Sequence, residues 1–241
     1  MDIRNETEIE GFAQFIRNLC GAESKEGATR RRQLHAVVNN AGVALGGPVE
    51  DTSISVFRNV FEINYFGLVS FTQKMLRDLI RDKGRLFIVG SMAGRIALPF
   101  LSPYASSKFA LEGFTDSLRR EVAQFGVSVT LFEPGGIATP IWAKAKGQDR
   151  SFVSQKYLES LELFEKKFID SGLEGFSADL AARRMFREIE RRHPARRRII
   201  DGKPAVDRLM TMLPASLIDA FTAKRFALSP KDRIRRLSSR E

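Results

Sequence analysis

Three short runs of apolar, largely β-branched and aromatic residues constrain this chain most: Leu34–Val38, Arg85–Val89 and Val127–Phe132. Each is too short for a buried helix and is bounded by turn-forming residues, so each reads as a strand covered on both faces. Long helical patterns separate them, over residues 54–82 and 104–125. A helix is also expected over 6–19, where Ile9, Phe12, Ile16 and Leu19 recur at helical spacing. Beyond the third strand the patterns predict helices over 154–170 and 177–192, a strand over Arg197–Ile200, and a helix over 205–226 interrupted at Pro214. Strands joined by helices of this length need right-handed crossovers. The expected fold is therefore α/β, a Rossmann-like doubly wound parallel sheet flanked by helices. Ligands of such sheets lie beyond the carboxyl ends of the strands. Here those ends carry Asn39-Asn40-Ala41-Gly42, Gly90-Ser91-Met92-Ala93-Gly94 and Glu133-Pro134-Gly135-Gly136.

Composition narrows the class. The 241 residues are 43% hydrophobic and 28% charged, enough for one core, which we expect over residues 1–228. Wholesale disorder is excluded. No stretch approaches the roughly 20 apolar residues of a membrane-spanning helix. The opening MDIRNETEIEG lacks the apolar region of a secretory signal. A single cysteine, Cys20, excludes an intramolecular disulfide framework and fits a reducing, cytoplasmic setting. Two histidines and one cysteine are too few for a Cys/His zinc site, and no metal is expected. The net charge of +10 is concentrated in Arg30–Arg32, Arg191–Arg198 and a basic tail over 229–241. That distribution reads as solvated surface and argues against a nucleic-acid partner. The apolar and basic stretch Leu209 to Phe226 has two readings, a helix covering a substrate cleft or a peripheral contact with an anionic membrane.

Chemistry enters at the second strand end. Ser91 is followed 13 residues later by Tyr104, in Tyr104-Ala105-Ser106-Ser107-Lys108. Tyr104 and Lys108 are four apart and share one helix face. A nearby ammonium stabilises tyrosinate, so Lys108 is expected to lower the Tyr104 pKa and fit it for proton transfer. The Ser91 hydroxyl, on a neighbouring strand end, is placed to bond a substrate oxygen.

Taken together, these motifs resemble the short-chain dehydrogenase/reductase family. The resemblance rests on Asn39-Asn40-Ala41-Gly42, on Asn64 within Phe61-Glu62-Ile63-Asn64-Tyr65-Phe66-Gly67, on Ser91, on Tyr104 and Lys108, and on Pro134-Gly135 followed by Ile137 and Thr139. It covers residues 1–142 well and the remainder generically. It implies an oxidoreductase that interconverts an alcohol with a ketone or aldehyde, using NAD or NADP. It further implies that Tyr104 is the acid/base, Lys108 its tuner and ribose contact, Ser91 the residue orienting the substrate oxygen, and Asn64 the anchor of a water leading to the lysine. Asn40, Ile137 and Thr139 match cofactor contacts. Asp2 matches the end of the family's third strand, near adenine. A homo-oligomer is implied too.

The chain departs from the family at its front. Members open with a strand and a Gly-rich turn that cradles the pyrophosphate. No Gly-x-x-x-Gly-x-Gly pattern precedes Asn40. If Asp2 ends the third strand, the sheet is N-terminally incomplete, with the first two βα units, on the order of 50–60 residues, absent. The strand at Leu34–Val38 then becomes an apolar edge. Two accounts stand: an incomplete gene product, or a short form with lost or altered cofactor binding that acts as a non-catalytic binding or dimerisation partner. The segment after Thr139 carries Ile141, Trp142, Phe152, Val153, Tyr157, Leu158 and Leu161. These suit either a lining for an apolar substrate, as in the steroid and retinol dehydrogenase side of the family, or ordinary core.

Overall fold

The computed structural model describes residues 1–21, 33–230 and 232. The arginine run at 30–32 and most of the basic tail lie outside these residues. Helix α1 (Glu6–Gly21) begins behind Asn5, whose Oδ1 accepts from the backbone N–H of Thr7 and Glu8. Strand β1 (Ala36–Asn39) leads to α2 (Ile54–Phe61), a π-helical turn (Glu62–Phe66) and α3 (Gly67–Asp82), which run on as one rod. Then follow β2 (Arg85–Val89), α4 (Ser102–Val122) and β3 (Ser128–Pro134). Beyond these lie β4 (Ile137–Ala138), α5 (Pro140–Lys146), α6 (Gln155–Phe164), a second π-helical turn (Glu165–Ile169) and α7 (Asp170–Leu173). The chain closes with β5 (Phe176–Ser177), α8 (Ala178–Ile189), β6 (Arg197–Ile200), α9 (Pro204–Met210) and α10 (Ala215–Arg225).

The main sheet has the order β1-β2-β3-β6, parallel throughout, with Val37 opposite Leu86, Leu86 opposite Val129, and Leu131 opposite Arg197. It is the expected doubly wound arrangement. Strand periodicity explains how both faces are covered. Leu86 and Ile88 face a core shared with Ile9, Leu68, Met75, Leu79, Leu111 and Leu131. Phe87 faces the other way and stacks on Phe132, ring centroids 5.3 Å apart, in a core completed by α8 and Ile200. Leu111 and Leu118 of α4 are core residues. β4 pairs with β5 as a separate parallel ribbon of two residues each.

Part of the segment after Thr139 is core: Val153, Leu161, Phe164 and Ile169 bury against Phe100 and Leu101, while Trp142, Tyr157 and Leu158 are partly buried and Phe152 is exposed. Phe226 reaches into the same cluster from the end of α10, 5.4 Å from the Phe164 ring. The C-terminal stretch thus covers this cluster, while Leu209, Met212, Leu217 and Phe221 remain exposed. Among the described residues β1 has only β2 beside it, and Val38 is 43% exposed. No helix of the described residues is long and apolar enough to cross a membrane.

Candidate active site

Helix α4 starts just before the key tyrosine, with Pro103 in its first turn, where a missing N–H costs nothing. Tyr104 lies on that turn and Lys108 one turn further, both directed at the end of β2. Lys108 is buried; its Nζ donates to the Val89 carbonyl oxygen at 2.9 Å and lies 5.8 Å from the centroid of the Tyr104 ring. The end of β1 approaches from the other side. A Cβ at Gly42 would stand 3.3 Å from Asn64 Oδ1 and 3.7 Å from Lys108 Nζ, so the two side chains close around this position.

Asn64 sits in the first π-helical turn and is fully buried. The wider turn carries an extra residue, a device common at functional sites. Asn64 Nδ2 donates to Val43 O and to Ser107 Oγ, both at 3.0 Å, and Asn64 Oδ1 accepts from Val43 N at 2.8 Å. Ser107 Oγ in turn donates to Tyr104 O at 2.7 Å. Asn64 and Ser107 therefore join the loop after β1 to the first turn of α4. Sequence reasoning did not single out Ser107; its signal, a small polar side chain three residues after Tyr104, has meaning only once Asn64 faces it.

Ser91 leaves β2 in extended backbone and caps the short turn Met92–Gly94, its Oγ accepting from Ala93 N at 3.1 Å. Burial pushes the Tyr104 phenol above its ordinary pKa, and a hydrogen bond with Ser91 only partly opposes this. Burial also lowers Lys108, to about 8. The expected lowering of Tyr104 is thus corrected. Desolvation penalises the charged form of both groups, and the ammonium is bonded to Val89 rather than to the phenol.

The remaining expected residues divide. Asn39 is buried and donates to Thr72 Oγ1 at 2.8 Å, holding β1 to α3, while Asn40 is exposed. Ile137 lies on β4 and Thr139 at the start of α5, both partly buried; Ile137 O accepts from Trp142 Nε1 at 2.7 Å. The hydrogen bonds of Asp2 run to Arg4 and Glu8. It is exposed, and its bond with Arg4 at 2.7 Å holds it down to about 2. Behind Ser91 a set of ion pairs escaped the sequence reading: Arg95 to Glu133 at 3.1 Å, Arg197 to Glu133 at 3.0 Å, and Arg197 to Glu112. Among the described residues no three His, Cys, Asp or Glu side chains are grouped to hold a metal ion.

The family model described as short chain dehydrogenase matches residues 1–150. The chain belongs to the short-chain dehydrogenase family. As a member of this oxidoreductase family it is 33% identical over 195 residues to the NADPH-dependent 3-dehydrocapnine reductase of Ornithobacterium rhinotracheale, over 78% of this chain and 69% of that one. It is 40% identical over 151 residues to the uncharacterized oxidoreductase YusZ of Bacillus subtilis, over 60% of this chain and 54% of that one. Further curated relatives are matched over 36% to 56% of their length. A short-chain dehydrogenase/reductase of Burkholderia phymatum, solved in complex with NAD, shares the fold with a TM-score of 0.69 at 20% identity, covering 91% of this chain and 75% of that one.

Proposed function

We propose that this short-chain dehydrogenase interconverts a secondary or primary alcohol with the corresponding ketone or aldehyde, with NAD or NADP as the hydride carrier. One observation carries the reading: Tyr104, Lys108, Ser91 and Asn64 converge at the carboxyl ends of β1 and β2, joined through Val89, Val43 and Ser107. Lys108 Nζ beside the cradle at Gly42 fits a nicotinamide ribose, with Asn40 exposed next to it and Ile137 and Thr139 on the nicotinamide side. Residues 1–21 and 33–39 contain no Gly-rich strand-to-helix turn, so the described residues supply that end of the dinucleotide site and not the pyrophosphate cradle.

When bound, the nicotinamide gives or takes the hydride. The chain's own residues handle the oxygen. Tyr104 gives a proton to the carbonyl oxygen in reduction and takes it back in oxidation. Ser91 holds that oxygen in line with the phenol. Lys108 contributes positive charge that favours tyrosinate once its proton is in place. Asn64 keeps Val43 and Ser107 in register with α4.

For the substrate we infer an apolar molecule. A groove of about 370 Å³ between α10 and the loop before Tyr104 is lined by Ala97, Leu98, Pro99, Asp219, Thr222, Ala223 and Leu228. Exposed Phe66 and Phe109 favour a homo-oligomer, which sedimentation would check.

The deciding experiment is calorimetric titration of the monodisperse chain with NADH and NADPH. Turnover assays with steroid, retinoid and medium-chain alcohols follow, with Tyr104→Phe as the control. Micromolar binding and Tyr104-dependent turnover support the reading. A folded chain that binds neither dinucleotide would sink it and favour a non-catalytic partner role.

A further inference from the structure

β6 ends at Ile200, and Asp201 turns its carboxylate onto the loop that follows β3. Asp201 Oδ2 accepts from Gly136 N at 3.1 Å, while Gly135 N donates to Ile200 O at 3.1 Å. The approach is close: a Cβ at position 135 would stand 1.6 Å from that carboxylate oxygen. Asp207, on α9, is within side-chain hydrogen-bond reach of the same carboxylate. Its Oδ2 is sealed from solvent with no donor directed at it. Two carboxylates that share a hydrogen bond resist ionising together; below the upper pKa one keeps a proton and donates it to the other. Burial, and then the charge of Asp201, push Asp207 up to about 6.

The neighbouring cations do not neutralise the pair. Arg184 of α8 donates to the backbone oxygen of Asp201, and its guanidinium lies over the Phe176 ring. Lys203 is exposed and offers Asp201 Oδ1 only its backbone N–H, at 3.3 Å. Arg208, beside Asp207 on α9, is exposed.

We propose that Asp201 and Asp207 form a proton-linked clamp on the Gly135–Gly136 loop and act as positioning residues for Ile137 and Thr139. With the proton present, the Asp201 carboxylate is held between the Asp207 hydroxyl and the Gly136 N–H. With the proton gone, like charges push Asp201 away and the loop loses its anchor. The connection onward is short. Gly136 O accepts from Phe176 N at 2.7 Å, and Ile137 O accepts from the indole of Trp142. The effect on turnover rests on the site reading proposed above; the clamp itself does not.

Trp142 is the single tryptophan, so its emission reports on this loop without any ligand. The whole chain is titrated from pH 4.5 to 8.5 as wild type, Asp207→Asn and Asp201→Asn. The wild type is expected to show one transition centred near 6. Asp207→Asn removes the transition, because an amide donates to Asp201 at every pH. Asp201→Asn moves it down by about a pH unit or more, because the facing charge is gone. A wild type without a transition between pH 5 and 7 overturns the proposal. So does a transition that persists in Asp207→Asn. If Asp207→Asn does not fold, the midpoint in Asp201→Asn decides alone. In turnover, the apparent KM for the dinucleotide should rise several-fold between pH 5 and 7.5 in the wild type and stay flat in Asp207→Asn. A flat wild-type KM beside a clear emission transition would leave the clamp standing and overturn its positioning role.

Discussion

Lys108 Nζ donates to the Val89 carbonyl oxygen, so the cation nearest the Tyr104 ring is anchored to the end of β2. The bond holds a buried ammonium at a strand end where little else solvates it. In the free chain the lysine bears a desolvation cost, and the tyrosine beside it is a weaker acid than an unburied phenol.

That arrangement sets a stability signature. Lys108 releases its proton near 8 when folded and near 10.5 when unfolded. Between those values the unfolded chain binds more protons, so this residue makes stability rise with pH from about 8 to 10.5. Lys108→Met should abolish turnover yet stabilise the chain at pH 7 by on the order of 2 kcal/mol, after allowing for the lost bond to Val89. Urea unfolding at pH 7 and pH 9.5 checks this. The advantage of the variant should shrink at the higher pH, and parallel behaviour of the two proteins would refute it.

Tyr104 should remain a phenol in the free chain through neutral pH, since burial raises it and Ser91 compensates only in part. The chain has three tyrosines, so the difference in tyrosinate absorbance between wild type and Tyr104→Phe isolates this one. We expect no signal from it below pH 10; a rise near pH 7 would show that Lys108 already tunes it. In turnover, Tyr104→Phe should lose about 10²–10⁴-fold in kcat, the usual share of a general acid/base. Its fold should be intact, because the Ser91 turn is held independently by Ala93 N.

Asn64 should matter to stability as much as to chemistry. It is fully buried and makes three hydrogen bonds, two of them to the backbone of Val43. Asn64→Ala leaves that N–H and carbonyl without partners, a loss of about 2–4 kcal/mol. The denaturation midpoint should fall with no change in slope. An unfolding free energy within about 0.5 kcal/mol of wild type would mean that water replaces the side chain.

Much of this was legible before the structure. Strands β1, β2 and β3 lie in largely apolar runs of the right length, and the four-residue spacing of Tyr104 and Lys108 guarantees a shared helix face. What stayed hidden depends on partners far along the chain. The spacing places an ammonium near the phenol but does not reveal that Val89 takes it up. A π-helical turn at Asn64 has no compositional mark. β4 and β5 are two residues each, below any periodicity. Apolar residues such as Val153 and Leu161 look alike whether they line a cleft or fill a core. The bond from Gly136 to Asp201 and the ion pairs of Arg197 with Glu133 and Glu112 join residues 64 to 85 positions apart.

Arg197 is where such a long-range contact should cost most. From β6 it reaches Glu133 on β3 at 3.0 Å, Asp116 on α4 at 3.1 Å, and Glu112, one turn beyond Lys108. Glu133 is 3% exposed and retains Arg95; Asp116 retains Arg119. Glu112 has no other salt-bridge partner among the described residues, and its Oε1 is sealed without a donor. Burial already raises Glu112 above the usual carboxylate range, with Arg197 opposing the rise. Arg197→Met should therefore destabilise the chain at pH 7 by about 3–5 kcal/mol, the penalty for stranding one buried charge. The sign of the pH dependence follows. With its counter-charge gone, Glu112 binds a proton more readily folded than unfolded, so the variant loses stability as pH rises and regains it as pH falls. Urea midpoints at pH 7 and pH 5 should show the deficit shrinking in acid, and adding Glu112→Gln should relieve it at pH 7. A deficit equal at both pH values and untouched by the second substitution would place the loss in packing of the arginine stem instead.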